Sequence, residues 1–443
     1  MISGAGLSID GLASGLDTKS VIDQLMAIER QPLTRLASEK SDLETIQGVW
    51  KDVNSRLLGL QTKADALKNP QAFSSTKAVS SDTTVVTAAA SNSALAGTYQ
   101  IAVSQLAQAQ VDISDAFAST TTALNVSGTL TINGVAITLA STDTLGTIKD
   151  KINATTSTSK VSAAIVQTAP GSYQLVLTGT QTGTANTISA PTGLAFTTKQ
   201  AAQQAKLTVN GVDITSNTNT VSDVVPGTTL SLVKTGTAAV TIGRDIDGIV
   251  ATIKDFVDQF NSLSSFIADK QSWDAQKKIA GPLLGDSTAG GIISSLRADL
   301  ADPVYGLGAG APSTLAEIGI ATGQYGTSDY GKLVLDETKL RSMLESNPDG
   351  VIALFTGDNG VAARIVNYAK GYTDPISGVL PRKDKDISSQ IKDVADRIQT
   401  MNDRLDAQEE RYKAQFAALE TALGKLKNQQ TWLTQQLAQL GGH

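Results

Sequence analysis

The chain has 443 residues, enough for two to four domains; aromatics make up only 4% and glycine 38 residues, so its cores are expected to be thin and built from Val, Ile, Leu and Ala. A net charge of −6 without a long basic run argues against nucleic acid and acidic partners. Cysteine is absent and histidine occurs once, at His443, which excludes disulfides and thiol chemistry, removes most metal sites and imidazole bases, and leaves no cofactor or enzymatic activity to expect.

The opening MISGAGLSIDGLASGLDTKS has no basic n-region and no long apolar run, so neither a classical signal peptide nor membrane insertion is expected. Residues 1 to 17 read as small and flexible. Asp17 or Thr18 can cap a helix whose apolar stripe is Val21, Ile22, Leu25 and Ile28, and Pro32 begins a new helical stretch or kinks this one. Leu36, Leu43, Trp50, Leu57 and Ala64 then fall seven apart, with Ile46, Val53, Leu60 and Leu67 beside them. Together they form one continuous apolar seam, stopped by NPQAFSS at residues 69 to 75.

From about 76 to 240 the composition turns to Thr, Ser, Val, Ala and Gly, and TYQIAVSQL, SYQLVLTG and TTLSLVKTG alternate as strands do. LTINGVAIT at 130 to 138 recurs as LTVNGVDIT at 207 to 215. Asn-Gly between β-formers is a strong hairpin signal, so two small β units are expected, with an insertion of roughly 124 to 200.

Helical spacing resumes with Ile246, Val250, Ile253, Val257, Phe260, Leu263 and Phe266 or Ile267, a stripe expected to pack on the N-terminal seam. A helix around Ser287 to Leu300, a capping box at Thr314 and Glu317, a strand at Lys332 to Leu335 and a helix from Asp336 to Asn347 follow. Short helical pieces and Gly/Pro turns fill 349 to 386. From Asp386 a heptad runs through Ile391, Ile398, Leu405, Tyr412, Leu419, Leu426, Leu433 and Leu440, with Asp393/Arg397 and Glu409/Lys413 as supporting pairs. A second track, Ile387, Val394 and Met401, reappears one residue displaced at Phe416, Leu423 and Leu437, implying a change of winding near Gln408 and Gln415.

Two motifs imitate chemistry without supplying it. GDSTAGG at 285 to 291 places Ser287 in a glycine-rich turn but does not fit G-x-S-x-G, so it reads as a helix cap; GLDTKS lacks the glycine and spacing of a phosphate loop. Asp384, Asp386, Asp393, Glu409 and Glu410 alternate with basic residues, as on a solvated helix. The seam at 36 to 67 has an ordinary use, pairing with the chain's own later helices. The stripe in 414 to 443 is different, because an apolar face on a terminal helix invites another copy or another protein.

Over essentially its whole length the chain resembles the bacterial flagellar filament cap proteins, also called hook-associated protein 2. The resemblance rests on GLSIDGLASGLDTKSVIDQLMAIERQPLTRL at 6 to 36, the two NG repeats, LAEIGIATG with GKLVLDETKL at 315 to 323 and 331 to 340, and the heptad tail. It implies a multidomain α+β protein whose two ends form helical legs (1 to 40 and 405 to 443) and a rod (41 to 70 and 241 to 404). An inner β domain (71 to 123 and 201 to 240) and an outer one (124 to 200) are inserted between them. It further implies a homo-oligomeric ring of four to six subunits at the filament tip that retains exported flagellin and promotes its folding and insertion. Export through the flagellar type III apparatus, contact with the hook-filament junction protein and a cytoplasmic export chaperone bound to the C-terminal region belong to the same implication. Leu36, Leu43, Trp50, Leu57, Ile46, Val53 and Leu60 are then assigned to rod packing. Leu419, Leu423, Leu426, Leu433, Leu440, Val21, Leu25 and Ile28 are assigned to leg assembly or chaperone contact. A hook-filament junction protein or other axial component and a coiled-coil-stalked adhesin are the readings to be separated from it.

Overall fold

The computed structural model describes residues 15, 17 to 189, 193 to 276, 278 to 324 and 326 to 440, with side chains up to residue 437 in the last stretch. Most of the GLSIDGLASGLD motif, His443 and the Leu440 side chain lie outside the described residues. The chain separates into two compact units: the stretches up to Asn69 and from Val250 onward form one, and Pro70–Ile249 the other.

The first unit opens with α1 (Thr18–Glu29), capped by Asp17, whose carboxylate accepts from the Ser20 N–H at 3.0 Å. Arg30 separates it from α2 (Gln31–Lys68), with Pro32 in the first turn of α2, where no intrahelical N–H is needed.

The second unit holds two β cores. A five-stranded antiparallel sheet runs in the order β1 (Thr76–Ser80), β14 (Gly236–Arg244), β3 (Gly97–Gln105), β10 (Ala205–Val209), β11 (Val212–Ser216). With the three-stranded sheet β12 (Thr220–Ser222), β13 (Thr228–Leu232), β2 (Val86–Ala90) it encloses Val86, Ile101, Val103, Leu207, Leu230 and Val240. Alternate residues of β13 point inward, which is why its TTLSL pattern suffices for a thin sandwich. The other core lies under the sheet β7 (Val161–Ala169), β8 (Ser172–Gly179), β4 (Val111–Ser114), β9 (Phe196–Gln200). The hairpin β5 (Gly128–Ile132) and β6 (Val135–Leu139) supplies Leu130 and Ile132, α3 (Leu145–Ala154) supplies Leu145, Ile148 and Ile152, and the single turn α4 (Thr156–Ser159) leads into β7.

The repeated hairpins share one turn. Asn133 and Gly134 sit at φ 49° and 78°, Asn210 and Gly211 at 50° and 82°, the left-handed pair that matches strand twist. Each asparagine also ties its turn to a neighbour: the Gln100 N–H donates to Asn210 Oδ1 at 2.8 Å, and the Ser189 N–H donates to Asn133 Oδ1 at 2.7 Å.

The chain returns to the first unit along α5 (Ile246–Lys270), which buries Val250, Ile253, Val257, Phe260, Leu263 and Ile267. A two-residue ladder, β15 (Trp273–Asp274) with β16 (Ile279–Ala280), precedes α6 (Ser287–Ala301). The short pair β17 (Ile320–Thr322) and β18 (Leu333–Leu335) leads to α7 (Glu337–Ser346), α8 (Pro348–Thr356) and α9 (Val361–Thr373). Asp336 caps α7 through the Lys339 N–H, and Asn347 caps α8 through the Gly350 N–H, both at 3.0 Å. The last helix, α10 (Val379–Leu440), has 62 residues and spans about 90 Å.

Three local expectations are corrected. Thr314 and Glu317 do not form a capping box, because only a 3-10 turn, Leu315–Ile318, follows before Gly319 turns left-handed. The Glu317 carboxylate instead accepts from the hydroxyls of Ser313 and Thr314 at 2.9 Å each. Arg397 does not pair with Asp393 but reaches Glu39 on α2 at 3.9 Å. The tail helix begins at Val379 rather than Asp386, since Pro381 falls in its first turn, and it runs unbroken through Gln408 and Gln415.

Candidate assembly surfaces on the helical unit

The rod is built around one face of α2. Trp50, Val53, Leu57 and Leu60 are buried with Ala64 and Leu67, Leu36 is buried nearer the helix start, and Leu43 and Ile46 between them are half-buried. Facing them are α5, α9 and α10. Gln259 on α5 donates to the Arg56 carbonyl at 2.9 Å, the Arg56 guanidinium lies 4.5 Å from the centre of the Phe266 ring, and Thr373 on α9 donates to Gln61 at 2.9 Å. From α10, Ser388 accepts from Gln47 at 2.7 Å, and Lys383 places its ammonium 4.3 Å from the centre of the Trp50 ring.

Lys383 also joins a third helix, donating to Asp286 Oδ2 at 2.7 Å. The other Asp286 oxygen accepts from Thr288 N–H at 2.8 Å and Ala289 N–H at 3.2 Å, so one carboxylate caps α6 and fastens it to α10. Burial pushes that carboxyl up, but the Lys383 hydrogen bond, the backbone donors and the lysine charge outweigh it and hold it below its ordinary value. Ser287 is the first residue of the capped helix.

The two chain ends meet in a smaller cluster. Ile22 and Met26 of α1 and Leu405 of α10 are buried, with Leu33, Met401, Tyr412 and Phe416 packed against them. Arg30 reaches Glu409 at 3.3 Å, and Lys413 reaches the same carboxylate at 3.0 Å. The Lys413 hydrogen bond and its charge hold Glu409 below the usual glutamate range.

Beyond Phe416 the apolar seam of α10 comes to the surface. Leu423 is half-buried, Leu419 is exposed, and Leu426, Trp432, Leu433 and Leu437 expose between 53% and 63% of their area. On α1 the buried face is Ile22 and Met26, which leaves Val21 and Ile28 exposed and Leu25 half-buried. Sequence reading missed Trp432, which lies off both heptad tracks, and the loop residues Ile376 (91% exposed) and Tyr305. Ile376 sits in a turn organised by Asp374, which accepts from the N–H groups of Ile376 and Ser377 at 3.0 and 2.8 Å. An Asp-Pro pair followed by Gly signals such a turn, but nothing in it signals that the isoleucine points outward.

Among the described residues no three acidic or histidine side chains gather to hold a metal, and no helix is long and apolar enough to cross a membrane. The surfaces offer apolar contact and hydrogen bonding.

Comparison with known proteins decides what these surfaces belong to. Residues 14 to 110 match the family model of the flagellar hook-associated protein 2 N-terminus, and residues 202 to 428 that of its C-terminus. The chain is 32% identical to flagellar hook-associated protein 2 of Escherichia coli strain K12, with 98% of each chain covered. It belongs to the flagellar hook-associated protein 2 family, the flagellar filament cap. The A-type protein of Pseudomonas aeruginosa is similar at 29% identity, again over 98% of both chains. The crystal structure of the D1-D2-D3 domains of the Escherichia coli flagellar cap protein superposes with a TM-score of 0.55 at 31% identity, covering 76% of this chain and 99% of that one. Between the two family models, residues 123 to 181 match the flagellin hook IN motif, a stretch that holds β5, β6, α3, β7 and β8. The rod residues of α2, the half-buried Leu423 and the exposed Leu419 and Leu426 lie within the cap-family matches; Leu433 and Leu437 lie beyond residue 428.

Proposed function

We propose that this cap protein works as a homo-oligomeric plate at the distal end of the filament, which retains exported flagellin and promotes its folding and insertion beneath it. The observation that carries this reading is the uncovered seam of Leu426, Leu433 and Leu437 on a helix whose earlier turns are packed. An apolar stripe of this size is suited to contacts that hold and then exchange, because each half-exposed leucine contributes only about 1 to 2 kcal/mol when covered. Such a stripe has two successive uses. In the cytoplasm it serves an export chaperone; after passage through the type III apparatus it joins neighbouring copies and the hook-filament junction protein. The work is steric and conformational, without bond chemistry. The Thr-rich β unit supplies a polar, solvent-compatible plate.

The double variant Leu426→Asp, Leu433→Asp, placed in a strain lacking its own copy, tests this. Both side chains are exposed, so thermal unfolding is expected to stay within about 2 °C of the parent. Motility is expected to be lost, with flagellin released into the medium as monomer. Normal filaments from the folded variant would contradict the reading.

A further inference from the structure

Residues opposite each other in antiparallel strands either exchange main-chain hydrogen bonds or both turn them outward. In β8 the Tyr173 N–H donates to the Phe117 carbonyl and the Leu175 N–H to Ser114 Oγ, each at 2.8 Å and each away from β7. Their partners in register are Gln167 and Ile165, so the N–H and C=O groups of these two point off the outer edge of β7, as do those of Ala163 and Val161. The first half of this edge is closed by side chains. The Val161 carbonyl accepts from the Thr156 hydroxyl at 3.0 Å, and the Val161 N–H donates to Ser159 Oγ at 3.3 Å. At Ala163 the Asn153 carboxamide stands in for a neighbouring strand, accepting from the N–H at 2.8 Å and donating to the C=O at 2.9 Å. At Ile165 and Gln167 the outward groups have no partner among the described residues.

An open groove of about 500 Å³ lies beside these two residues. Its lining is Ile165, Gln167 and Tyr173 of the two strands, the start of α3 with its cap Thr144, and Thr120 and Thr121. Edge strands are ordinarily guarded by charge, proline or a bulge, because unpaired backbone invites another strand. At the opposite edge of the same sheet, β9 carries Lys199 and pairs through a bulge. β7 has no charged residue and no proline, and only its far end is guarded, where the register slips after Gln167. What remains is a window of two residues between the Asn153 clasp and that slip. Solvent can answer its main-chain groups, so the empty window costs the fold nothing.

The window calls for N–H and C=O groups at strand spacing, which a polypeptide presents while it is extended. A helix has already used them internally, and a folded domain offers them only at an edge of its own. Size separates a folded from an unfolded occupant. Pairing with two residues and filling one groove covers on the order of a few hundred Å², well below the roughly 1,200 Å² at which folded partners pair stably. A second folded copy is therefore not held by this edge, whereas an extended segment can be held here briefly and released. Ile165 and Tyr173, both half-buried at the rim of the outer core, give one of its side chains an apolar surface to rest on. We propose that β7 between Ala163 and Thr168 is a docking edge for an extended, unfolded polypeptide segment, added as a fifth strand beside Ile165 and Gln167. Under the function proposed above, on which this inference rests, the segment belongs to flagellin that has been exported and has not yet folded.

The test is amide hydrogen exchange of the full chain, read residue by residue in the mass spectrometer, alone and with short synthetic peptides tiling the flagellin of the same organism. Alone, the Ile165 and Gln167 amides are expected to exchange fast beside the slow amides of Ala164 and Val166, which face β8. With at least one peptide at millimolar concentration, both are expected to slow tenfold or more. Gln167→Pro removes an N–H that no described group uses, and Gln167→Lys sets a charge on the edge. The position is exposed, so each variant is expected to melt within about 2 °C of the parent and to lose the slowing at Ile165. Peptides that slow other segments but leave Ile165 and Gln167 unchanged, or folded variants slowed at Ile165 like the parent, would overturn the docking edge while the flagellin reading stands. Folded flagellin that slows the two amides as strongly as the peptides would overturn the extended occupant. Peptides that slow no amide anywhere would overturn the edge and count against the flagellin reading itself.

Discussion

At the scale of single residues, stability is concentrated where side chains are fully enclosed. Leu57 is wholly buried at the middle of the α2 face. Leu57→Ala is expected to cost about 2 to 5 kcal/mol in urea unfolding, a transfer loss plus a cavity that rigid neighbouring helices cannot close; a loss below 1 kcal/mol would mean that this face is not packed as described. Asp286 contributes through its charge. Its folded value lies below the ordinary 3.8, so the unfolded chain binds more protons as the solution is acidified. Its contribution is therefore full above the ordinary value and disappears as the pH falls through the lowered one. Asp286→Asn keeps the cap but loses the ion pair with Lys383, and should cost about 1 kcal/mol at pH 7 and progressively less below pH 4. A deficit that stays constant from pH 7 to pH 3 would show that the charge is not the source. The turn residue Gly211, at φ 82° with open space around it, adds a third case. Gly211→Val is expected to destabilise by about 1 to 2 kcal/mol through the backbone alone, measured by thermal unfolding.

At the scale of elements, α10 passes from structural to available surface along its length. Ile387, Val394 and Leu405 are buried, and from Leu426 onward every described apolar side chain is exposed. Amide exchange of the unassembled protein is therefore expected to be slow in α2 and α9 and fast from about residue 419 onward, since opening there breaks few apolar contacts. Uniform protection along α10 would contradict this gradient. The seams of α2 and α10 and both Asn-Gly hairpins were legible in the sequence, because long periodicity and left-handed turn chemistry are local signals. Less local features were not. Arg397 left its own helix for Glu39, a choice that i,i+4 spacing cannot reveal. On α1 both Ile22/Met26 and Val21/Leu25/Ile28 have helical spacing, and only the presence of Leu405 selects the first pair for burial. Val111–Ser114 joins β8 and β9, a pairing set by long-range register that its short apolar run does not disclose.

At the scale of the whole molecule, both ends of the chain build one unit and the middle builds the other. That division agrees with membership of the filament cap family. The central claim is location. Flagella still attached to cells are to be imaged by electron microscopy with gold-labelled antibody raised against residues 124 to 189, and label counted at tip, shaft and base. Gold is expected to be confined to the distal tip, and lost from it in the Leu426→Asp, Leu433→Asp variant. Gold along the shaft, at the base, or on cell surfaces without filaments would contradict it.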